Sequence, residues 1–266
     1  MKRYRILKFG IDTTRNILNF PNNTPMIEKH KQEMKESLIS QFGEIDFDNK
    51  FKRYMEVKKP ALAIVEEYWY LLNEIADAYV SGYFYPALTG ACCLGERIFN
   101  VMILKLREYH KSSKFYKNIY RKDSFIDWDE AINISKEWVA IDNETEENFR
   151  SLEKIRHASI HYRNREQDLQ RISIDAINNI NFIVDHIFGI LNRKDILLLF
   201  NVPGEIYIKK EAEKIPLVRE FYIPSAFLVG YKHTISDSNK LIDEKYDDKE
   251  ISDEEFVNLR KSFLNR

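Results

Sequence analysis

The stretch Phe84-Tyr-Pro86-Ala-Leu-Thr-Gly90-Ala-Cys-Cys-Leu-Gly95-Glu96-Arg-Ile98-Phe-Asn-Val101-Met102-Ile-Leu-Lys-Leu106 decides the fold class. Ala87, Leu88, Ala91, Leu94, Ile98, Val101, Met102 and Leu106 recur at threes and fours, the period of one helical face. Pro86 suits a first helical turn, where its missing N–H costs nothing. Gly90, Ala91, Cys92, Cys93 and Gly95 keep the helix slim, so neighbouring helices can approach closely. Such a helix belongs in the middle of a bundle. Glu96 stands out on it. Either it is a surface carboxylate beside Arg97, or it is buried and needs a partner.

Working outward, Lys58-Lys59-Pro60 opens a helix over 61–80, with Leu62, Val65, Trp69, Leu72, Ile75 and Tyr79 on its inner face and Gly82 as its stop. Earlier, Thr24-Pro25 starts a charged helix over 26–41 with a narrow apolar stripe. Tyr4, Ile6, Leu7 and Phe9 suggest a strand within 1–10. Downstream, Asp127-Trp128-Asp129-Glu130 has the pattern of a capping box and begins a helix through Ile141. Residues 144–162 form a charged helix with Phe149, Leu152, Ile155 and Ile160 inward. A polar loop over 163–171 leads to Ser173 and a long isoleucine-rich helix over 173–192.

Beyond Asn192 the texture changes. Gly204-Glu-Ile-Tyr-Ile208, Pro216-Leu-Val-Arg-Glu-Phe-Tyr-Ile223 and Phe227-Leu-Val-Gly-Tyr231 are short β-rich runs punctuated by Pro and Gly. A polar linker over 236–250 precedes a second capping-box pattern at Ser252–Glu255 and a last short helix. The predicted architecture is mainly α. An N-terminal extension (1–50) precedes an up-and-down helical bundle (51–193) and a small β-rich C-terminal appendage with a terminal helix (194–266).

Composition bounds the function. The 266 residues are 44% hydrophobic, enough for a real core, and 8 Gly with 7 Pro argue against turn-rich or low-complexity classes. Forty-one Lys+Arg against 42 Asp+Glu leave a net charge of −1, so a polyanion partner must be held by a local patch. Two adjacent cysteines make neither a secreted framework nor a zinc site of their own. No run approaches the length of a membrane span and no signal-like apolar stretch follows the basic start, so a cytoplasmic protein without a membrane partner is expected.

Phosphate-loop, dinucleotide, nucleophile-elbow and zinc-protease motifs are all absent. What remains is Lys154-Ile-Arg156-His157-Ala-Ser159-Ile-His161-Tyr-Arg163-Asn-Arg165, with two histidines among cations. Three readings stand. The segment is a solvated helix end whose cations complement the dipole. Or Glu153, His157 and His161, four apart, form a zinc-binding stripe, which the flanking cations oppose. Or it performs phosphodiester chemistry. Histidine, with an unperturbed pKa of ~6.5, moves protons near neutrality, and arginine forks two donors onto a phosphate.

Arg156-His157-Ala-Ser-Ile-His161 resembles the Arg-x(4–6)-His motif of HEPN domains (higher eukaryotes and prokaryotes nucleotide-binding). The segment from Phe84 to Arg107, with its Tyr85–Arg97 stretch, is similar to that fold's long second helix, and 173–192 falls where its last core helix would lie. The resemblance covers roughly 60–193. It implies an all-helical bundle, usually dimeric, whose catalytic members are metal-independent endoribonucleases acting as toxins, abortive-infection proteins or other antiviral effectors. Arg156 matches the motif arginine and His161 the motif histidine; His157 fills the polar position after the arginine. Some family toxins are silenced by a nucleotidyltransferase that modifies a tyrosine two residues past the histidine. Here that position is Arg163, with Tyr162 one residue earlier, so the chain departs from that pattern.

The expected function is therefore a metal-independent endoribonuclease, needing no cofactor, that yields 2′,3′-cyclic phosphate and 5′-hydroxyl ends. It would serve as a toxin or phage-defence effector with an antitoxin or defence-system partner. Arg156 and His161 are the catalytic pair, and His157, Ser159 and Glu96 support them, with Glu96 orienting Arg156 or His161 across the bundle. Five residues turn a helix by about 140°, so Arg156 and His161 do not share a face of a regular helix. A two-fold dimer would supply two histidines, one as acid and one as base. Lys154, Arg163 and Arg165, with Lys114, Lys117 and Arg121 from the aromatic-interleaved segment 105–122, are the RNA-binding candidates; a plain basic loop is the alternative for that segment. The alternative function is a non-catalytic helical module that binds RNA, a nucleotide or a partner protein through the same patch.

Overall fold

A computed structural model of the chain describes residues 1–7, 21, 24–57, 63–124, 127–160, 168–190, 197–236, 240–244 and 249–265. The chain is mainly helical with a small sheet, and it divides into two units. One comprises Gly10–Ala63 and Glu67–Ile187; the other comprises Met1–Phe9, Ile64–Glu66 and Phe188–Arg266.

The first unit is a bundle whose helix ends follow local chemistry. Thr24 Oγ1 accepts the Ile27 N–H at 3.3 Å and Pro25 takes the first position of α1 (Pro25–Phe42). Helix α2 (Phe47–Glu56) packs with it around Leu38, Tyr54 and Val80. Helix α3 (Glu66–Val80) begins well after Pro60, the expected opening, and residues 58–62 lie outside those described. The chain leaves α3 through Gly82, whose φ of +87° suits glycine. Helix α4 (Phe84–Leu106) buries Ala87, Leu88, Ala91, Leu94, Ile98 and Met102 as its periodicity requires.

The small residues of α4 do what their size allows. A β-carbon at Gly90 would lie 2.9 Å from Ile75 of α3. One at Gly95 would lie 2.7 Å from Leu152 and 2.9 Å from Trp128. Trp128 opens α5 (Trp128–Glu137), capped by Asp127, whose side chain accepts the Glu130 N–H at 3.0 Å. Leu152 lies on α6 (Asn143–Ile160). Phe99 of α4 stacks on Phe149 of α6 at 3.7 Å between ring centres. Helix α7 (Leu169–Phe188) starts four residues ahead of Ser173, because Asp168 accepts the Arg171 N–H at 3.1 Å and so caps an earlier turn. Its buried face is Ile177, Ile180, Ile183, Val184 and Ile187.

By length and composition alone, the helical stretch Phe84–His110 is long and apolar enough to cross a membrane. Over half (56%) of its most apolar window is buried inside the fold, as the core helix of a bundle demands.

The second unit is built on an antiparallel sheet of β1 (Lys2–Ile6), β2 (Leu198–Val202), β3 (Glu205–Ile208) and β4 (Ala226–Gly230), in the order β2-β3-β1-β4. The N-terminal strand is thus an inner strand of the C-terminal sheet, with Arg5 opposite Tyr207 and Tyr4 opposite Leu228. Residues 1–50 are accordingly shared between the two units. Helix α8 (Asp253–Leu264) is capped by Ser252, whose Oγ accepts the Glu255 N–H at 3.1 Å. Tyr207, Val229, Phe256 and Val257 form this unit's core.

Two readings of this region are corrected. Pro216–Ile223 is not a strand: Val218–Tyr222 is a π-helical turn, followed by a 3₁₀ turn at Ile223–Ser225. Leu217, Val218, Phe221 and Tyr222 are buried and Arg219 between them is exposed. That spacing is helical and gives no alternation. The linker over 236–250 is also partly structured, since β5 (Thr234–Ile235) pairs with β6 (Leu241–Ile242).

Candidate active site

Arg156 lies in the last described turn of α6, on the side that faces α4. Its Nη2 is 3.2 Å from Glu96 Oε2. The same carboxylate oxygen accepts the indole N–H of Trp128 at 3.3 Å. The guanidinium also lies over the Trp128 ring, 5.8 Å from its centre. Three helices therefore converge on one group, a carboxylate that receives an indole N–H and holds an arginine. The floor beneath is rigid. Trp128 is 3% exposed and meets Phe99 edge-on at 5.6 Å, and Gly95 leaves room for its ring. Arg156 and Glu96 remain about a quarter to a third exposed, so the pair sits at the rim of the core with access to solvent.

Glu96 is thus the half-buried carboxylate with a partner, and that partner is Arg156, one of the two candidates across the bundle. Trp128 was not singled out by sequence. Only its place just after an N-cap was legible, and its contact with Glu96 spans 32 positions. His157 and Lys154 are exposed on α6. Ser159 belongs to the helix, but its side chain lies outside the described residues, as do His161, Tyr162, Arg163 and Arg165 altogether.

Nearby titrations fit this arrangement. Burial first, then the neighbouring Cys93, pushes the Cys92 thiol up to about 12, with the Arg156 charge acting against. Cys92 is therefore a core thiol. Cys93, its neighbour, is exposed. Burial, followed by the charge of Asp129, raises Glu153 above the ordinary carboxylate range, and His157 opposes this. Among the described residues no group of three or more His, Cys, Asp or Glu could hold a metal ion. The third member of the Glu153–His157–His161 stripe falls outside them.

The basic segment 105–122 is tied down by its own ion pairs. Lys114 pairs with Glu137 at 3.8 Å, Lys111 with Glu108 at 3.1 Å and Lys122 with Glu130 at 2.8 Å. Arg107 donates to the carbonyls of Ile119 (3.3 Å) and Lys122 (2.6 Å). Lys117 and Arg121 are exposed, with Arg121 5.0 Å from the Tyr120 ring centre. Among the described contacts none joins Lys114, Lys117 or Arg121 to Arg156. His110 stacks on Trp138 at 4.5 Å, and its burial lowers its pKa, which marks it as structural.

The other unit holds a second cluster that the sequence did not reveal. Glu205 accepts from Arg260 at 2.6 and 2.9 Å and from the Tyr207 hydroxyl, and pairs with Arg5 at 2.9 Å. His233, fully buried, has Nδ1 2.6 Å from the Gly230 carbonyl and Nε2 against Arg5 Nη1. A carbonyl only accepts, so Nδ1 carries the proton and Nε2 receives the arginine. Burial would raise Glu205, but the hydrogen bonds from Arg260 and Tyr207 and the Arg5 charge outweigh it and hold Glu205 below the ordinary range.

No protein-family model, curated protein or solved structure matches this chain.

Proposed function

We propose that the protein is a metal-independent endoribonuclease of the HEPN kind, acting as a homodimer on RNA, with Arg156 as the phosphate clamp and His161 as the proton-transfer group. The observation that carries this reading is the held arginine: a guanidinium at the rim of the core, fixed by a carboxylate that is itself fixed by a buried indole. Preorganised positive charge of this sort stabilises the phosphorane-like transition state, where charge on the non-bridging oxygens grows. The reaction needs little else. A base takes the 2′-hydroxyl proton, the 2′-oxygen attacks phosphorus, and the P–O5′ bond breaks as an acid protonates the leaving oxygen. The products are a 2′,3′-cyclic phosphate and a 5′-hydroxyl. Two copies of His161, one per chain, supply the acid and the base.

The motif and helix order support the HEPN assignment, and the toxin or phage-defence setting follows from it. Lys154, beside the site on α6, together with Arg163 and Arg165, would track the RNA backbone.

The test is cleavage of RNA by the purified protein with and without a chelator. His161→Ala is expected to lose about 10²–10⁴-fold and Arg156→Ala about 10²–10³-fold, with the chelator without effect. RNA binding without cleavage would identify the chain as a binding module instead. Chelator-sensitive activity, with His157→Ala failing like His161→Ala, would identify the zinc stripe.

A further inference from the structure

We infer that Trp128 is a positioning residue of the Arg156 site, acting through Glu96. The inference rests on the ribonuclease reading for its catalytic consequence, and on geometry alone for the positioning itself. A carboxylate on a long, flexible side chain does not fix a guanidinium unless something fixes the carboxylate. Glu96 Oε2 accepts the Trp128 N–H at 3.3 Å and faces Arg156 Nη2 at 3.2 Å, so one oxygen carries both contacts. The indole donor has little freedom. Trp128 is 3% exposed, its ring edge would touch a β-carbon at Gly95, and Phe99 meets it edge-on. The hydrogen bond from the Glu130 N–H to Asp127 Oδ1 closes the helical turn in which Trp128 sits. The same ring lies beneath Arg156, 5.8 Å from centre to Cζ, and adds a cation–π attraction to the planar guanidinium.

The chain of support thus runs from the bundle core to the surface as Gly95, Trp128, Glu96, Arg156. Its purpose is to hold Arg156 in one orientation before a phosphate arrives, so that little reorganisation is left for the transition state. The two contacts of Trp128 separate chemically. Phenylalanine keeps a ring beneath Arg156 and loses the N–H to Glu96. Benzothienylalanine at 128 keeps the full bicycle and replaces only the N–H by sulfur.

The experiment has two arms. In the first, rotation of the Arg156 guanidinium is followed by NMR in arginine-labelled protein, with Arg156→Lys identifying the signal. Rotation is expected to be slow in the wild type and faster in W128F, in the benzothienyl variant and in E96Q. Should W128F fail to fold, the benzothienyl variant decides. Unchanged rotation in the benzothienyl variant would overturn the positioning role. In the second arm, W128F is expected to lower kcat about tenfold with RNA affinity kept. The W128F/E96Q double variant is expected to be no slower than E96Q alone, because both changes cut one chain. Multiplying losses, or wild-type turnover in W128F, would overturn the inference. A wild-type protein that does not cleave RNA would remove the ribonuclease reading and leave the rotation arm to decide the positioning.

Discussion

Glu96 and Glu205 each meet an arginine, and the two meetings differ in kind. In the bundle, one carboxylate oxygen holds one guanidinium at a partly open rim. In the sheet unit, one carboxylate is surrounded by Arg5, Arg260 and Tyr207, with His233 at 4.0 Å, and nearly all of it is sealed from solvent. Arg260 gives its remaining donor to the carbonyls of Tyr231 and His233. One donor, Arg5 Nε, finds no hydrogen-bond partner among the described residues. The contrast separates a partly exposed ion pair from buried charges that join β1, β3 and α8. Strong electrostatics by themselves do not mark a site, since the more heavily charged of the two clusters is the one buried in a core.

The sharpest way to break this contrast is Glu205→Ala. It leaves two buried guanidiniums facing each other without a counter-ion, and removing one partner of such a set typically costs about 3–5 kcal/mol. Urea unfolding followed by amide exchange in β1 and β3 measures this. Tryptophan fluorescence would not, because all three tryptophans lie in the bundle unit.

Acid should produce a similar loss in the same place. Burial, assisted by the Arg260 and Arg5 charges and opposed by the Gly230 carbonyl, pushes His233 down to about 4. The folded state therefore binds the proton less readily than the unfolded chain, whose histidine titrates near 6.5. The stabilisation is complete above about pH 6.5 and is lost as pH falls toward 4, about 3 kcal/mol in all. His233→Gln should flatten that slope in the sheet unit and leave the bundle unchanged; a slope that survives the substitution would remove His233 as its source.

Gly95→Ala asks whether the rim pair depends on its floor. The added methyl meets the rigid Trp128 ring as well as the more yielding Leu152 tip, so overpacking should cost about 1–3 kcal/mol. The tryptophan emission should report it directly. The smallest effect is expected from Arg156→Ala, since breaking a partly exposed ion pair costs less than about 1 kcal/mol. Near-equal unfolding midpoints for wild type and Arg156→Ala, beside the large loss in Glu205→Ala, would uphold the contrast. A Glu205-sized loss at Arg156 would collapse it.

What was legible in the sequence was local or periodic. Thr24, Asp127 and Ser252 cap the helices that follow them, and each cap acts within three residues. The stripe of α4 and its small residues told of close packing, and Gly90 and Gly95 show how close. Glu96 stood out because a carboxylate on such a face needs an answer. The rest depended on distance along the chain. Nothing near Trp128 announces an acceptor on another helix, and Arg5, Glu205 and Arg260 lie too far apart in the chain to show themselves as one cluster. Pro216–Ile223 misled through composition: its β-branched and aromatic residues suit a strand, while the spacing of its buried pairs is helical.

The strand Lys2–Ile6 has a consequence for how the protein is made. It leaves the ribosome before the bundle does, and its pairing partners follow about 200 residues later. The whole bundle intervenes, so the sheet closes only after that unit has been translated, and loop closure over such a span is slow. A waiting strand is a hazard on the ribosome, because its bare edges invite other chains. Lys2, Arg3 and Arg5 make this one cationic, and charge is a common guard against such encounters. When the partners arrive, Asp253 and Glu205 neutralise Arg3 and Arg5, and the guards become buried fastenings.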